Sequence, residues 1–215
     1  MNNEGYVKEM GVGGYGPGEI DEFHRVCLPY LGNTYFPEKA EPVLDLGIGS
    51  GHCALSLVDA GWKKMYGFDI DAFYKSYFEE HGVQFASGDI QTDTLPYGDN
   101  FFGAVISFHV AEHLMNGSNY IKEIKRVLKP GGVAILVTPD WRKQYKTFYR
   151  DHTHVHPYDK ESIARLMRAN GLVPEVKSFG VLRGVGRTGL WKKIPSLMFT
   201  GIDMVCIAKK PNNNE

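Results

Sequence analysis

The sequence predicts an α/β protein with a mostly parallel sheet covered on both faces by helices. Two observations carry this. Short apolar runs alternate with segments of helical spacing along most of the chain. The first run, Val43 to Leu46, also enters a turn with glycines at three alternate positions, Gly47, Gly49 and Gly51. A buried strand ending in such a turn brings backbone close to a small ligand.

The elements follow in order. Residues 1–18 are glycine-rich and are read as a flexible segment, with Tyr6, Val12 and Tyr15 available to fold over a ligand. Ile20 to Leu31 places Ile20, Phe23, Val26 and Cys27 at helical spacing. Strand one is Val43 to Leu46, and a helix spans His52 to Ala60. Strand two is Met65 to Phe68, followed by a short helix from Ala72 to Glu80 and a third strand at Val83 to Phe85. Phe102 to Phe108 is a longer buried strand. Ser118 is read as the cap of a helix that carries Ile121, Ile124, Val127 and Leu128 inward and is stopped by Lys129-Pro-Gly-Gly132. Val133 to Val137 is strand five, and Asp159 caps a helix ending at Asn170-Gly171. Val173 to Ser178 and Ile202 to Ala208 close the chain around an insert at about 180–200, in which Pro195 argues against one continuous helix. The domain runs from 19 to 210, with no second domain and no internal repeat.

Composition narrows the function. The chain has 215 residues, enough for one full core, and a net charge of -1 that gives no general attraction to nucleic acid. Cys27, Cys53 and Cys206 form neither a disulfide framework nor a metal knuckle, so a reducing cytoplasm is expected. No stretch of 18 apolar residues is present, and no membrane insertion is expected.

The ligand is narrowed by glycine spacing. A dinucleotide turn needs G-x-G-x-x-G, and the Gly47 register puts His52 where its last glycine belongs; the Gly49 register puts Ala54 there and leaves the intact triplet of Gly47, Gly49 and Gly51 unexplained. A phosphate loop needs a lysine that is not there. Asp45-x-Gly47-x-Gly49-x-Gly51 resembles instead the class I S-adenosylmethionine-dependent methyltransferases. Leu95-Pro-Tyr-Gly-Asp-Asn-Phe-Phe102 and Glu123-Ile-Lys-Arg-Val-Leu-Lys-Pro-Gly-Gly132 match that family's entry to strand four and its junction to strand five, with Gly103 standing where an Asp is common. The resemblance implies a Rossmann-like fold of seven strands in the order 3-2-1-4-5-7-6, strand seven antiparallel. S-adenosylmethionine is the cofactor it implies, leaving as S-adenosylhomocysteine.

It also implies the site. Asp45 orients the turn or takes the ammonium group; Gly47, Gly49 and Gly51 line the cofactor. Asp69 accepts from the ribose hydroxyls beside Ile70, and Asp89 with the Ile90 backbone meets adenine. An acid at the end of strand two fits a nicotinamide dinucleotide equally well by itself, and Asp71 and Asp89 also read as helix caps. His109, after strand four, is expected against the cofactor, and His109, His113 and His154 are the candidates for handling the acceptor's proton. Asp151-His-Thr-His-Val-His156 has imidazoles at alternate positions. That spacing serves pocket structure, a base or metal ligation; no metal is assigned.

Arg142, Lys143, Lys146, Arg150, Lys177, Arg183, Arg187, Lys192 and Lys193 crowd the expected acceptor side, which suits an anionic small molecule as much as a solvated face. Leu190 to Phe199 mixes basic and bulky apolar groups that suit closure over substrate or contact with lipid. The expected function is methyl transfer to oxygen or nitrogen of a small metabolite or glycan or lipid precursor, by a monomer or homodimer. The alternatives are a non-catalytic cofactor-binding protein on the same scaffold and an NAD(P)-dependent reductase. Nucleic acid is not expected as a partner: Phe108-His-Val-Ala111 lacks the Asn/Asp-Pro-Pro-Tyr segment of base amino-methylation.

Overall fold

The structure, a computed structural model, describes residues 20–181 and 189–212. The N-terminal segment 1–18, with Tyr6, Val12 and Tyr15, lies outside the described residues, as do Arg183 and Arg187.

Asp21 opens the first helix, α1 (Glu22–Tyr35), by accepting the His24 amide on its side chain. The apolar stripe then packs Cys27, Leu28 and Leu31 inward, so the helix runs four residues beyond its expected end. Gly32 lets the indole of Trp62 lie against the helix; a Cβ there would come within 2.5 Å of the ring.

Next come β1 (Val43–Leu46), α2 (His52–Asp59), β2 (Met65–Asp69), α3 (Lys75–Glu80), β3 (Val83–Ser87) and β4 (Phe102–Phe108). They are followed by α4 (Gly117–Val127), β5 (Leu128–Pro139), the short α5 (Trp141–Gln144), α6 (Lys160–Ala169), β6 (Val173–Phe179) and β7 (Asp203–Lys209). One seven-stranded sheet has the order β3-β2-β1-β4-β5-β7-β6, as the resemblance implies, and β7 runs antiparallel to both of its neighbours. β1 and β4 pair in parallel, and between them the order in which successive strands join the sheet reverses.

The pleat sends alternate residues to opposite faces. Val43, Ala104, Ile106, Ile135 and Val205 join the core under α1 and α2. Leu44, Leu46, Val105, Ala134, Leu136 and Met204 join the core under α4 and α6. Asp45 falls between Leu44 and Leu46 in this alternation and therefore faces α2.

Several boundaries differ from the sequence reading. The cap of α4 is Asn116, whose side chain accepts from the Ser118 amide, and not Ser118 itself. Lys129 to Gly132 do not separate α4 from β5. Leu128 already pairs with Phe102, and the register shifts before Val133 pairs with Ala104, so Pro130 and Gly131 make an irregularity inside a 12-residue strand. The third helix begins at Lys75, because Ala72 to Tyr74 turn with the Asp71 carboxylate accepting from Phe73. Asp159 caps α6 as expected, completing a reciprocal box with Ser162. Among the described residues of the insert, Leu190–Lys192 and Pro195–Met198 form single 3₁₀ turns.

Candidate functional site

The carboxyl ends of β1, β2, β3, β4 and β5 meet on one edge of the sheet, where an open α/β sheet binds its ligand. The first wall is the turn after β1. Gly47, Gly49 and Gly51 have φ of 80°, 53° and 88°, all in the left-handed region that side chains resist. The turn is tied to β2: Gly47 and Ile48 donate to the Phe68 carbonyl, and Gly49 donates to Asp69 Oδ2 at 2.9 Å. A Cβ on Gly47 would fall 2.2 Å from Val110, whereas one on Gly49 would meet nothing within 4 Å. Open space therefore lies over Gly49.

Asp45 is 2% exposed and caps α2 from a distance. Its Oδ2 accepts the Ala54 amide at 3.0 Å, the third amide of a helix whose own cap, Gly51, has no side chain. This bond orients the first turn of α2 against the end of β1. Burial, opposed by that hydrogen bond and reinforced by the charge of Asp69, raises the Asp45 carboxyl to about 7.

Asp69 is likewise raised by burial. It accepts from Gly49 on one oxygen and from Asp71 on the other. A carboxylate has about four lone-pair positions, so acceptor capacity for a ligand's hydroxyls remains. Ile70 beside it is an exposed apolar side chain. On the neighbouring tip, Ser87 pairs with Asp69, which places Asp89 just beyond; Asp89 accepts from Gln91, while Ile90 is packed into the core. The acids Asp45, Asp69 and Asp89 thus stand on three neighbouring strand tips.

Across the switch point the wall is made of side chains. His109 follows β4 in a left-handed conformation, φ 54°. Its Nδ1 lies 3.1 Å from Oε1 of Glu112, which is fully buried; Glu112 Oε2 accepts from Thr138 at 2.9 Å. The backbone carbonyl of Glu112 accepts from Val155 and His156. Glu112 therefore joins the tips of β4 and β5 to segment 151–156. Desolvation disfavours the charged His109, but the hydrogen bond and charge of Glu112, with Asp203, outweigh it and raise the ring to about 9. Burial also opposes ionisation of Glu112, and His109 overcomes it to hold the carboxyl below its ordinary value. Sequence reasoning assigned Glu112 no role; its position between two histidines just past a strand tip was the available signal.

His113 is pushed down by burial and by neighbouring His154, and so is neutral at pH 7. Its Nδ1 lies 2.9 Å from the Thr153 hydroxyl, and its ring meets His154 edge-on at 4.8 Å. His154 Nδ1 is 2.9 Å from the Phe148 carbonyl. The alternate imidazoles of 152–156 do not converge: His154 turns to His113, and His156 stacks on Tyr158. The structure thus separates the candidate proton-handling residues into a charged His109 and a neutral His113 against which the His154 ring packs.

A third group was missed. Asp21 and His24 on α1 meet His52, the first residue of α2, and the His24 ring lies 6.0 Å from that of Phe108 at the tip of β4. Of the basic residues, Arg142 pairs with Asp159, Lys177 with Glu175, and Lys192 with Glu22; Lys143 donates to Ser178 and to the Gly201 carbonyl. Among the described residues, no helix is long and apolar enough to cross a membrane.

Comparison with known proteins bears on this geometry. A family model described as a methyltransferase domain matches residues 19–175. A protein of Mycolicibacterium smegmatis named a probable S-adenosylmethionine-dependent methyltransferase is 31% identical over 100 residues, 46% of this chain and 38% of its own length. A tRNA U34 carboxymethyltransferase of Methylococcus capsulatus is 32% identical over 109 residues, 47% of this chain and 33% of its own length. The chain thus spans well under half the length of these two relatives. A solved structure of a methyltransferase from Archaeoglobus fulgidus superposes with a TM-score of 0.65 at 21% identity, covering 86% of this chain and 94% of that one. At that identity the likeness is one of fold.

Proposed function

This chain belongs to the methyltransferase domain family, and from that premise we propose that it moves a methyl group from S-adenosylmethionine to an oxygen or nitrogen of a small, anionic acceptor. The acceptor is a metabolite or a glycan or lipid precursor. The observation that carries the reading is the link from Asp69 to Gly49. One carboxylate holds the open glycine turn against β2 and keeps acceptor capacity for a ribose.

The residues present fit the cofactor. Gly49 leaves room where a side chain would block an approaching ligand. Asp69 would take the ribose hydroxyls, Asp89 and the Ile90 backbone the adenine, and Ile70 would cover its ring. Asp45 and the three glycines would shape the methionine end. When bound, S-adenosylmethionine supplies a methyl on a sulfonium, so the protein has mainly to position the acceptor and manage its proton.

His109 is suited to holding negative charge on the acceptor, since a ring titrating near 9 carries its proton at pH 7. His113, kept neutral, is suited to accepting one, with His154 packed beside it. Support for an anionic acceptor comes from the positive charge of His109; Arg142, Lys177 and Lys192 are already in ion pairs. The reading also has the chain acting in the cytoplasm, as a monomer or homodimer, without a nucleic-acid substrate.

Calorimetry with S-adenosylhomocysteine and with NAD tests the reading. Micromolar binding of the first and none of the second is expected, with Asp69→Ala weakening the first more than tenfold. Tight binding of NAD alone would overturn the assignment, and an unchanged affinity in Asp69→Ala would remove its ribose role.

A further inference from the structure

We propose that Asp21, His24 and His52 form a divalent transition-metal site at the mouth of the crevice. The inference rests on the proposed reading only for what the metal would do, not for whether it binds. Two imidazoles and one carboxylate, on two different elements, bring one ligand atom each within 4.8 Å of one another. Asp21 Oδ2 is 2.6 Å from His24 Nδ1 and 3.8 Å from His52 Nδ1. In a tetrahedral site with bonds of about 2.0–2.2 Å, ligand atoms stand about 3.3 Å apart, and the two observed distances bracket that spacing. The ion would replace the proton now shared by Asp21 and His24, with a small rotation of the carboxylate.

The ligands are pre-positioned by the fold. Asp21 cannot swing freely, because its other oxygen caps α1 through the His24 amide at 2.9 Å. His24 stands one helical turn on, and the two rings approach edge-on at 5.4 Å. All three side chains are largely sheltered, between 13% and 25% exposed.

A second cluster with similar ingredients, Glu112, His113 and His154, shows the contrast. Both Glu112 oxygens are engaged, by His109 and Thr138. His113 Nδ1 and His154 Nδ1 meet Thr153 and the Phe148 carbonyl. Ordinary structural bonding accounts for that group. At Asp21, one oxygen serves the helix and the other meets only imidazoles among the contacts described.

The donor set, two nitrogens and one oxygen, suits zinc, cobalt or iron in the divalent state over magnesium or calcium, which prefer all-oxygen sites. Three protein ligands leave a coordination position for water or for an acceptor's anionic oxygen. The neighbourhood of His24 to Phe108 places that position beside the switch point between β1 and β4. The site would then choose acceptors that present an oxygen anion.

The test uses the full, tag-free chain stripped with chelator. Zn²⁺ added alone should bind one per chain with a dissociation constant below about 10 μM, and Co²⁺ should give the visible absorption of a four- or five-coordinate N/O site. His24→Ala and His52→Ala should each weaken Zn²⁺ binding more than tenfold, while His154→Ala leaves it unchanged. Urea melts of each variant keep loss of folding apart from loss of ligation. If the wild type binds no Zn²⁺ below about 100 μM, or if His154→Ala abolishes binding and His24→Ala does not, the proposal is overturned. S-adenosylhomocysteine titrations with and without chelator stand separately: their failure would break the cofactor reading and leave the metal result intact.

Discussion

At the tips of β1 and β2 the crevice wall is main chain; across the switch point, at β4 and β5, it is side chain. On the first side a glycine turn is fastened to the next strand by backbone amides and by Asp69. On the second, a buried carboxylate, Glu112, gathers His109, Thr138 and segment 151–156, which come from three parts of the sequence. A backbone wall depends on a few adjacent residues and accepts the invariant part of a ligand. A side-chain wall can be rebuilt residue by residue, which suits the part of the reaction that differs between acceptors.

The first way to break this contrast is to put a side chain into the backbone wall. Gly47→Ala forces a left-handed conformation on a residue with a Cβ and drives that atom into Val110. The expected cost is about 2–5 kcal/mol in urea unfolding, with cofactor affinity lost. A cost below 1 kcal/mol would show that the turn adapts and that its glycines matter less than proposed.

The Asp45 carboxyl gives the next effect. Its folded-state value is raised to about 7, above its unfolded one, so the folded chain holds a proton that the unfolded chain releases. This group's contribution is therefore most favourable below about pH 4 and is lost as pH rises toward 7, by up to about 4 kcal/mol. Asp45→Asn keeps an oxygen for the Ala54 amide and removes the charge. Relative to wild type, without ligand, it should gain stability from about pH 4 to about pH 7 and level off above that; a flat difference would mean that burial does not perturb this carboxyl.

On the side-chain wall, Glu112→Gln sharpens the comparison. The charge that holds His109 protonated disappears, and an NMR titration should show the ring falling from about 9 to below 7. Wild-type His109, being raised, contributes stability that is full below about pH 6.5 and lost as pH climbs through 9. The variant should lose about 1–2 kcal/mol at pH 6, at the modest end for a charged hydrogen bond because half of the His109 side chain is solvated. An unmoved His109 titration would detach Glu112 from the site.

The contrast also explains what could be read from the sequence. Strand-and-turn patterns are local, and so the sheet elements, the glycine turn and the three acids at neighbouring tips were legible from spacing, with the strand order supplied by resemblance. The Glu112 network was not, because nothing within a few residues of Glu112 reveals that Thr138 will be its partner. The Asp21–His24–His52 group was hidden for the same reason: α1 and α2 are joined by a whole strand, and only packing brings them together. The 151–156 histidines were legible as a cluster but not in their arrangement. Their alternate spacing gives one shared target only in an extended strand, and the segment is held instead by a turn at Asp151 and by the Glu112 carbonyl.

The smallest effect separates two adjacent readings of one helix start. Asn116→Ala should cost about 1 kcal/mol, as loss of a cap does, and Ser118→Ala close to nothing. Equal costs by thermal melts would restore Ser118 to the capping role that its composition suggested.

The feet of the insert at about 180–200 are clamped together. Gly180 bridges to Phe199, and Gly201 passes so near that a Cβ on it would lie 2.1 Å from the Phe179 carbonyl. Both ends are thus fixed where β6 finishes and β7 begins, and Trp191 and Met198 between them are buried in the core. Closing a longer connection between fixed ends costs only about 0.6 kcal/mol for each doubling of length, so added residues at this position would leave the register of the hydrogen-bonded frame unchanged.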